Sequence, residues 1–307
     1  MDTSGPVATD LPPQGSPYWE RFQAPSDNVV VDPVVAPPPP INGKRYQVLH
    51  LFSGPDDRKD GLHSYLRAIK IDVVNCDIVN VNLDDQDLLD DAVWARIRAR
   101  IWAGEFDFTF AGPPCRSFSE SRSYGPGPPV VRDSDHLYGF PKSQAKDRGL
   151  GPKDFEQIRT DNLFAERAAE ACSIMDSWGR GYGVEQPTPW RSAVTMFSFE
   201  CFQKLIAAGA KMVYFDQCMY DGPTRKPTTI LYKNVDFSGL AVQCNHPKVE
   251  QWDNKGHKYM AAHPSYVGNK DSSGAFITGS LSAYPTKLNV KLATLINEAI
   301  IHGNSPS

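Results

Sequence analysis

Between Phe106 and Arg122 the chain reads FDFTFAGPPCRSFSESR. The run ending at Ala111 has the length and apolarity of a buried strand, and a glycine, two prolines and a cysteine follow it at once. Gly112 permits close backbone approach, while Pro113 and Pro114 fix φ and carry no N–H. The loop is therefore stiff and pushes the Cys115 side chain outward from the strand end. A free cysteine is most often a small buried hydrophobe. One held rigidly at a strand end is instead suited to attack an electrophile brought close to it.

Working outward, short apolar runs alternate with helical patterns. YQVLHLF (Tyr46–Phe52) reads as a strand, DGLHSYLRAI as a helix, IDVVNCD as a strand ending at Asp77, and DLLDDAVWARIRARIWAG as an amphipathic helix closed by Gly104. Beyond the Gly/Pro-rich, charged loop from Gly125 to Lys153 come the helix FEQIRTDNLFAERAAEACSIMDSW and the strand YGVEQ. A helix across SFECFQKLIAAG and the strands KMVYFDQC and TTILYKN follow. Strands separated by helices of this length pair in parallel through right-handed crossovers, which predicts a doubly wound, mostly parallel α/β sheet. Ligands in such sheets sit beyond the carboxyl ends of the strands. Asp77, Cys115 and Glu185 all fall at or just past such ends, so they are expected on one rim.

The chain has 307 residues, 40% of them hydrophobic, enough for a large core without crosslinks. The six cysteines show no disulfide-framework spacing, which points to a reducing, intracellular compartment, cytoplasmic or nuclear. No apolar run approaches the roughly 20 residues a membrane span requires, so no membrane association is expected. A net charge of -4 argues against broad electrostatic coating of nucleic acid but permits a local basic groove. Ten of the 26 prolines fall in the first 40 residues, and residues 1–43 read as a disordered, Pro-rich segment. The remaining divisions are a core over 44–234, a small irregular recognition region over 235–284, and a closing helix in 285–307 that completes the core.

Four pieces in order carry a resemblance to the cytosine-5 methyltransferase family. FSG after the first strand resembles the cofactor loop, and AGPPCRSFSESR the catalytic Pro-Cys loop. VEQP resembles the Glu-Asn-Pro motif, and YDGPTRKPTTILY the Gln-x-Arg-x-Arg segment. The resemblance spans about Tyr46 to Tyr232 and implies a Rossmann-like class I methyltransferase fold. It also implies S-adenosylmethionine as cofactor, and DNA, or RNA as in one branch of the family, as substrate. Under it, Cys115, Glu185 and Arg225 are the catalytic residues, with the thiolate adding to carbon 6 of cytosine and the carboxyl supporting protonation at N3. Phe52, Ser53, Gly54, Asp77, Gly112 and Pro113 would bind cofactor, joined by Asp87 or Asp90, whose alternative role is helix capping or a solvated loop charge. Ser119, Arg122 and Lys226 would contact substrate, and a monomer is favoured.

The chain departs from the family pattern at three points. FSGPDDRKDG lacks a second glycine cluster, Gln186 stands where asparagine is usual, and Pro227 falls where the second arginine would be. These departures sustain a second reading, a weakly active or inactive domain retained as a nucleic-acid or protein-binding module. A cysteine hydrolase built on Cys115 finds only His136 nearby, with no evident orienting partner. Cys244, His246, His257 and His263 offer zinc-ligand types without a recognised spacing and read first as separate surface residues rather than a metal site.

Overall fold

The computed structural model describes residues 45–77, 86–119, 122, 128–189, 194–252, 258–263 and 283–303. The Pro-rich segment expected over 1–43 and His257 lie outside them. Six strands form the main sheet: β1 (Gln47–Leu51), β2 (Asp72–Cys76), β3 (Phe108–Ala111), β4 (Gly181–Pro187), β5 (Lys211–Asp216) and β6 (Pro227–Lys233). Their spatial order is β2-β1-β3-β4-β6-β5. The first four pair in parallel, and β6 runs antiparallel to both β4 and β5. Helices are α1 (Leu62–Ala68), α2 (Asp91–Trp102), α3 (Pro152–Ser177), α4 (Glu200–Ala207) and α5 (Thr286–Gly303).

Side-chain alternation along each strand divides the core into two layers. Leu49, Leu51, Ala111 and Val184 pack with Ile97 of α2, Ala168 and Met175 of α3 and Phe202 of α4. Val48, Phe108, Phe110, Phe215 and Ile230 face Leu66 of α1 and Leu292 and Ile296 of α5 on the other side. The result is a doubly wound, Rossmann-like α/β fold. α2 begins four residues later than the run Asp87–Gly104 suggests, because the Asp90 side chain accepts from the Ala92 and Val93 amides and so caps the helix there.

Register is what builds the rim. Leu51 lies opposite Cys76 and Ala111, and Ala111 opposite Val184, so the carboxyl ends of β1, β2 and β3 form one row beside Val184. Phe52, Asp77 and Gly112 leave the sheet there, whereas β4 continues through Glu185 to Pro187, paired only with β6. Because β6 is reversed, its first residue, Pro227, pairs with Asp216 at the carboxyl end of β5, and Lys226 reaches the same rim.

The region expected to be irregular after residue 234 contains a hairpin, β7 (Val249–Trp252) paired antiparallel with β8 (Lys258–Ala261). Four-residue strands are too short for alternation to stand out in the sequence. In the described part of the loop ahead of α3, Val131, Phe140 and Leu150 form a small core with Ile158 of that helix, and the Arg148 guanidinium lies 3.8 Å from the Phe140 ring.

Candidate active site

The loop that carries Cys115 is held from two sides. From β4, Gln186 Nε2 donates to the Pro113 carbonyl at 2.7 Å, the bond that ties the two neighbouring strand ends. From α3, the buried Asp161 carboxylate accepts from the Ser117 amide at 2.8 Å and from Arg116 at 3.2 Å. Buried Arg132 donates to Ser117 Oγ at 2.8 Å, the Leu137 carbonyl at 2.6 Å and Asn162 Oδ1 at 3.0 Å, with its guanidinium 4.0 Å from the Phe118 ring. Taking that guanidinium out of water lowers its pKa to about 10. Ser119 closes the loop's turn by accepting the Arg122 amide on its carbonyl at 3.2 Å.

Arg122, expected to touch substrate, is drawn into the loop's own hydrogen bonds. It is 7% exposed and donates to the Arg116 and Pro129 carbonyls and to Gln157 Oε1. A planar fork of donors engaged by backbone carbonyls, the Gln157 amide oxygen and the Asp154 carboxylate acts as a staple for the loop.

Next to the thiol lies Glu185, 8% exposed. Its Oε2 accepts from the Tyr284 hydroxyl at 3.1 Å, whereas Oε1 is buried with no partner among the described residues. Burial raises the Glu185 carboxyl, opposed by the Lys226 ammonium and the tyrosine hydroxyl. Cys115 is only partly buried, yet the loss of water around its sulfur, followed by the charge of Glu185, pushes the thiol up to about 11, with Lys226 pulling the other way. Tyr284 is raised well above its ordinary value, first by burial and then by Glu185. Lys226 Nζ stands 5.7 Å from the centre of the tyrosine ring. Gly112 makes this packing possible: a Cβ there would come within 2.9 Å of the Tyr284 hydroxyl. Sequence reasoning missed Tyr284, which sits just ahead of α5 and is joined to Glu185 only by the fold.

On the other half of the rim, Phe52 adopts a left-handed φ of 59°, donates its amide to the Cys76 carbonyl at 2.7 Å and sets its ring edge-on to Phe164 at 4.9 Å. Gly54 follows at φ 71°; its amide donates to Asp77 Oδ2 at 2.9 Å, and the position a Cβ would take is open. Ser53 Oγ donates to the Gly54 carbonyl. Asp87 accepts from the Leu89 amide at 2.8 Å, a local turn just ahead of the capping Asp90. The segment that replaces the expected glycines turns down toward the helices. Asp56 pairs with Arg67 of α1 at 3.0 Å, and Arg58 donates to Asp60 and to the Tyr284 carbonyl.

Arg225 and Lys226 go separate ways. Arg225 Nε donates to buried Asp216 Oδ2 at 3.0 Å, so the arginine expected among the catalytic residues is engaged at the end of β5, and Lys226 supplies the cation near Cys115 and Glu185. Asp216 Oδ2 also accepts the Cys244 amide at 2.7 Å. There Cys244, His246 and His263 come together, and Cys218, absent from the sequence-based candidates, joins them; the four ligand atoms lie within 4.8 Å of one another. A cavity of about 800 Å³ lined by Asp107, Arg180 and Asn234 opens at the amino ends of β3 and β4, away from all of these residues.

No protein-family model and no curated protein matches the chain. Solved structures similar to it include two methyltransferases. The S. pombe Dnmt2 methyltransferase is 11% identical with a TM-score of 0.32, over 62% of this chain and 49% of that one. The Entamoeba histolytica methyltransferase EhMeth is 14% identical with a TM-score of 0.30, over 63% and 54%. The chain thus spans about half the length of each.

Proposed function

We propose that this protein is an S-adenosylmethionine-dependent methyltransferase that methylates carbon 5 of cytosine in nucleic acid, DNA in the first instance, through a covalent Cys115 adduct. The observation that carries the reading is the Glu185 carboxyl: buried, raised by that burial, anchored through one oxygen to Tyr284 and presenting the other without a partner beside a thiol. A protonated carboxyl in that position donates to a ring nitrogen as the neighbouring sulfur attacks the ring.

The rim residues suit the cofactor. Phe52 to Gly54, Asp77 and Gly112 would hold it, with open space over Gly54 and an acidic strand end at the place where a nucleoside ribose is bound in such sheets. Bound there, it supplies the electrophilic methyl group. On the substrate, the Cys115 thiol gives its proton to water and its sulfur bonds to carbon 6, while Glu185 delivers a proton to N3. That leaves carbon 5 electron-rich. After methylation water takes the carbon 5 proton, the re-forming 5,6 double bond expels the thiolate, and the N3 proton returns to the Glu185 carboxylate. Lys226 favours the anionic forms of both acids. The base must leave a stacked duplex to reach Cys115, at a cost of a few kcal/mol, so single-stranded or distorted substrate is favoured.

A second reading, a binding module of the same fold with little activity, draws support from the thiol's raised pKa and the diversion of Arg225. One assay separates the two. An oligonucleotide carrying 5-fluorocytosine, incubated with cofactor, should trap a denaturation-resistant complex, because fluorine cannot leave carbon 5 as a proton does. Cys115→Ala should form none, and Glu185→Gln should form it slowly. No adduct from wild-type protein that demonstrably binds cofactor and oligonucleotide would favour the binding module.

A further inference from the structure

We propose that Cys218, Cys244, His246 and His263 bind one zinc ion, and that this ion fastens the β7–β8 hairpin to the carboxyl end of β5. The four residues come from three separate segments. Cys218 lies in the helical turn Gln217–Tyr220 that follows β5, Cys244 and His246 on the connection leading to β7, and His263 just past the end of β8. Cys244 Sγ is 3.4 Å from His246 Nδ1 and 3.3 Å from His263 Nε2, and the two imidazoles cross at 81° with ring centres 4.9 Å apart. A zinc tetrahedron with sulfur at about 2.3 Å and nitrogen at about 2.0 to 2.1 Å has edges of about 3.3 to 3.8 Å. The side chains therefore already stand close to the positions that coordination demands.

Hydrogen bonding alone accounts poorly for this convergence. The Cys244 thiol proton can serve one ring nitrogen, while the other imidazole and Cys218 are left with sulfur as their acceptor, and sulfur accepts hydrogen bonds only weakly. A cation at the centre serves all four, and two sulfurs with two imidazoles make a donor set that zinc prefers. Support from the surroundings is present too: the Cys244 amide is fixed by the buried Asp216 carboxylate at 2.7 Å.

The hairpin needs such a fastening. Among its described side chains Gln251 alone is buried, while Met260 is 61% and Val249 38% exposed, so these side chains supply no apolar core with which to dock. Metal coordination supplies folding free energy where burial cannot. The consequence reaches the rim. Asp216 holds both Cys244 and Arg225, and the residue after Arg225 is the Lys226 that faces Cys115 and Glu185.

The test is metal analysis of the full chain purified under reducing conditions with zinc in the growth medium. One zinc per chain is expected in the wild type and in Cys115→Ala, and less than a tenth of that in Cys244→Ser and His263→Ala. Because a ligand variant can lose metal simply by misfolding, the wild type is also stripped with chelator and titrated with cobalt(II). Tetrahedral cobalt absorption with thiolate charge-transfer bands should appear, saturate at one equivalent and vanish when zinc is added. Wild-type protein without zinc that gives no tetrahedral cobalt spectrum would overturn the proposal. So would a Cys218–Cys244 disulfide in the reduced preparation, or equal zinc loss in Cys115→Ala.

Discussion

Cys115 and Cys244 are connected through a single dipeptide, Lys226 reaching toward the first and Arg225 holding the carboxylate that holds the second. The two thiols nonetheless sit in opposite chemistries. Around Cys115 stand a carboxyl, a phenol and an ammonium, groups that trade protons. Around Cys244 stand two imidazoles and another sulfur, groups that donate lone pairs. What a cysteine can do is set by the functional groups its fold gathers around it, since a sulfur alone is equally competent as nucleophile, ligand or packing atom.

The largest effect is expected at Cys115 itself. Cys115→Ala should abolish the 5-fluorocytosine adduct altogether while leaving metal content unchanged, and trapping gels beside metal analysis check both halves at once. Next in size, Glu185→Gln should slow methyl transfer by about 10² to 10⁴-fold, the usual range for a lost general acid, measured as single-turnover transfer of a labelled methyl group. Tyr284→Phe should fall well short of that, because it removes one hydrogen bond to the carboxyl and leaves the carboxyl in place.

Gly112→Ala tests the packing of the rim. Its methyl meets the Tyr284 hydroxyl at 2.9 Å, so the substitution should cost about 1 to 3 kcal/mol in denaturant unfolding. Combining it with Tyr284→Phe should recover part of that loss. Strict additivity of the two changes would show that they do not share the contact.

Thiol reactivity sharpens the contrast more gently. A Cys115 thiol pushed up to about 11 is neutral at pH 7, with about one molecule in ten thousand ionised, so iodoacetamide labelling should rise about tenfold per unit from pH 7 to 10. Lys226→Met removes the cation that lowers the pKa and should slow labelling, whereas Glu185→Gln removes the anion that raises it and should speed labelling. Peptide mapping of the labelled sites reads this directly. The smallest effect is expected at Arg225: its side chain is about half exposed, so Arg225→Gln should change stability by less than about 1 kcal/mol. It should also slow methyl transfer less than Lys226→Met does, and the reverse order would return Arg225 to the catalytic group.

Local pattern was enough for the sheet's strands, its main helices and the placing of Asp77 and Cys115 just past strand ends, with Glu185 near the carboxyl end of β4. Those features follow from local periodicity and from stiff Gly-Pro-Pro chemistry next to the residues concerned. The tertiary structure alone decided which distant side chains meet. Tyr284 is 99 residues from Glu185, Asp161 is 44 from Ser117, and Cys218 joins Cys244 only after β6 has turned back between β4 and β5. It also sent Arg122 inward and Arg225 to Asp216, since a buried carboxylate or carbonyl cluster captures a guanidinium wherever the chain offers one. Periodicity reports a residue's own face within its element, but a site is made of partners, and partnership is fixed by strand order and by contacts between distant segments, which the local pattern of one segment does not carry.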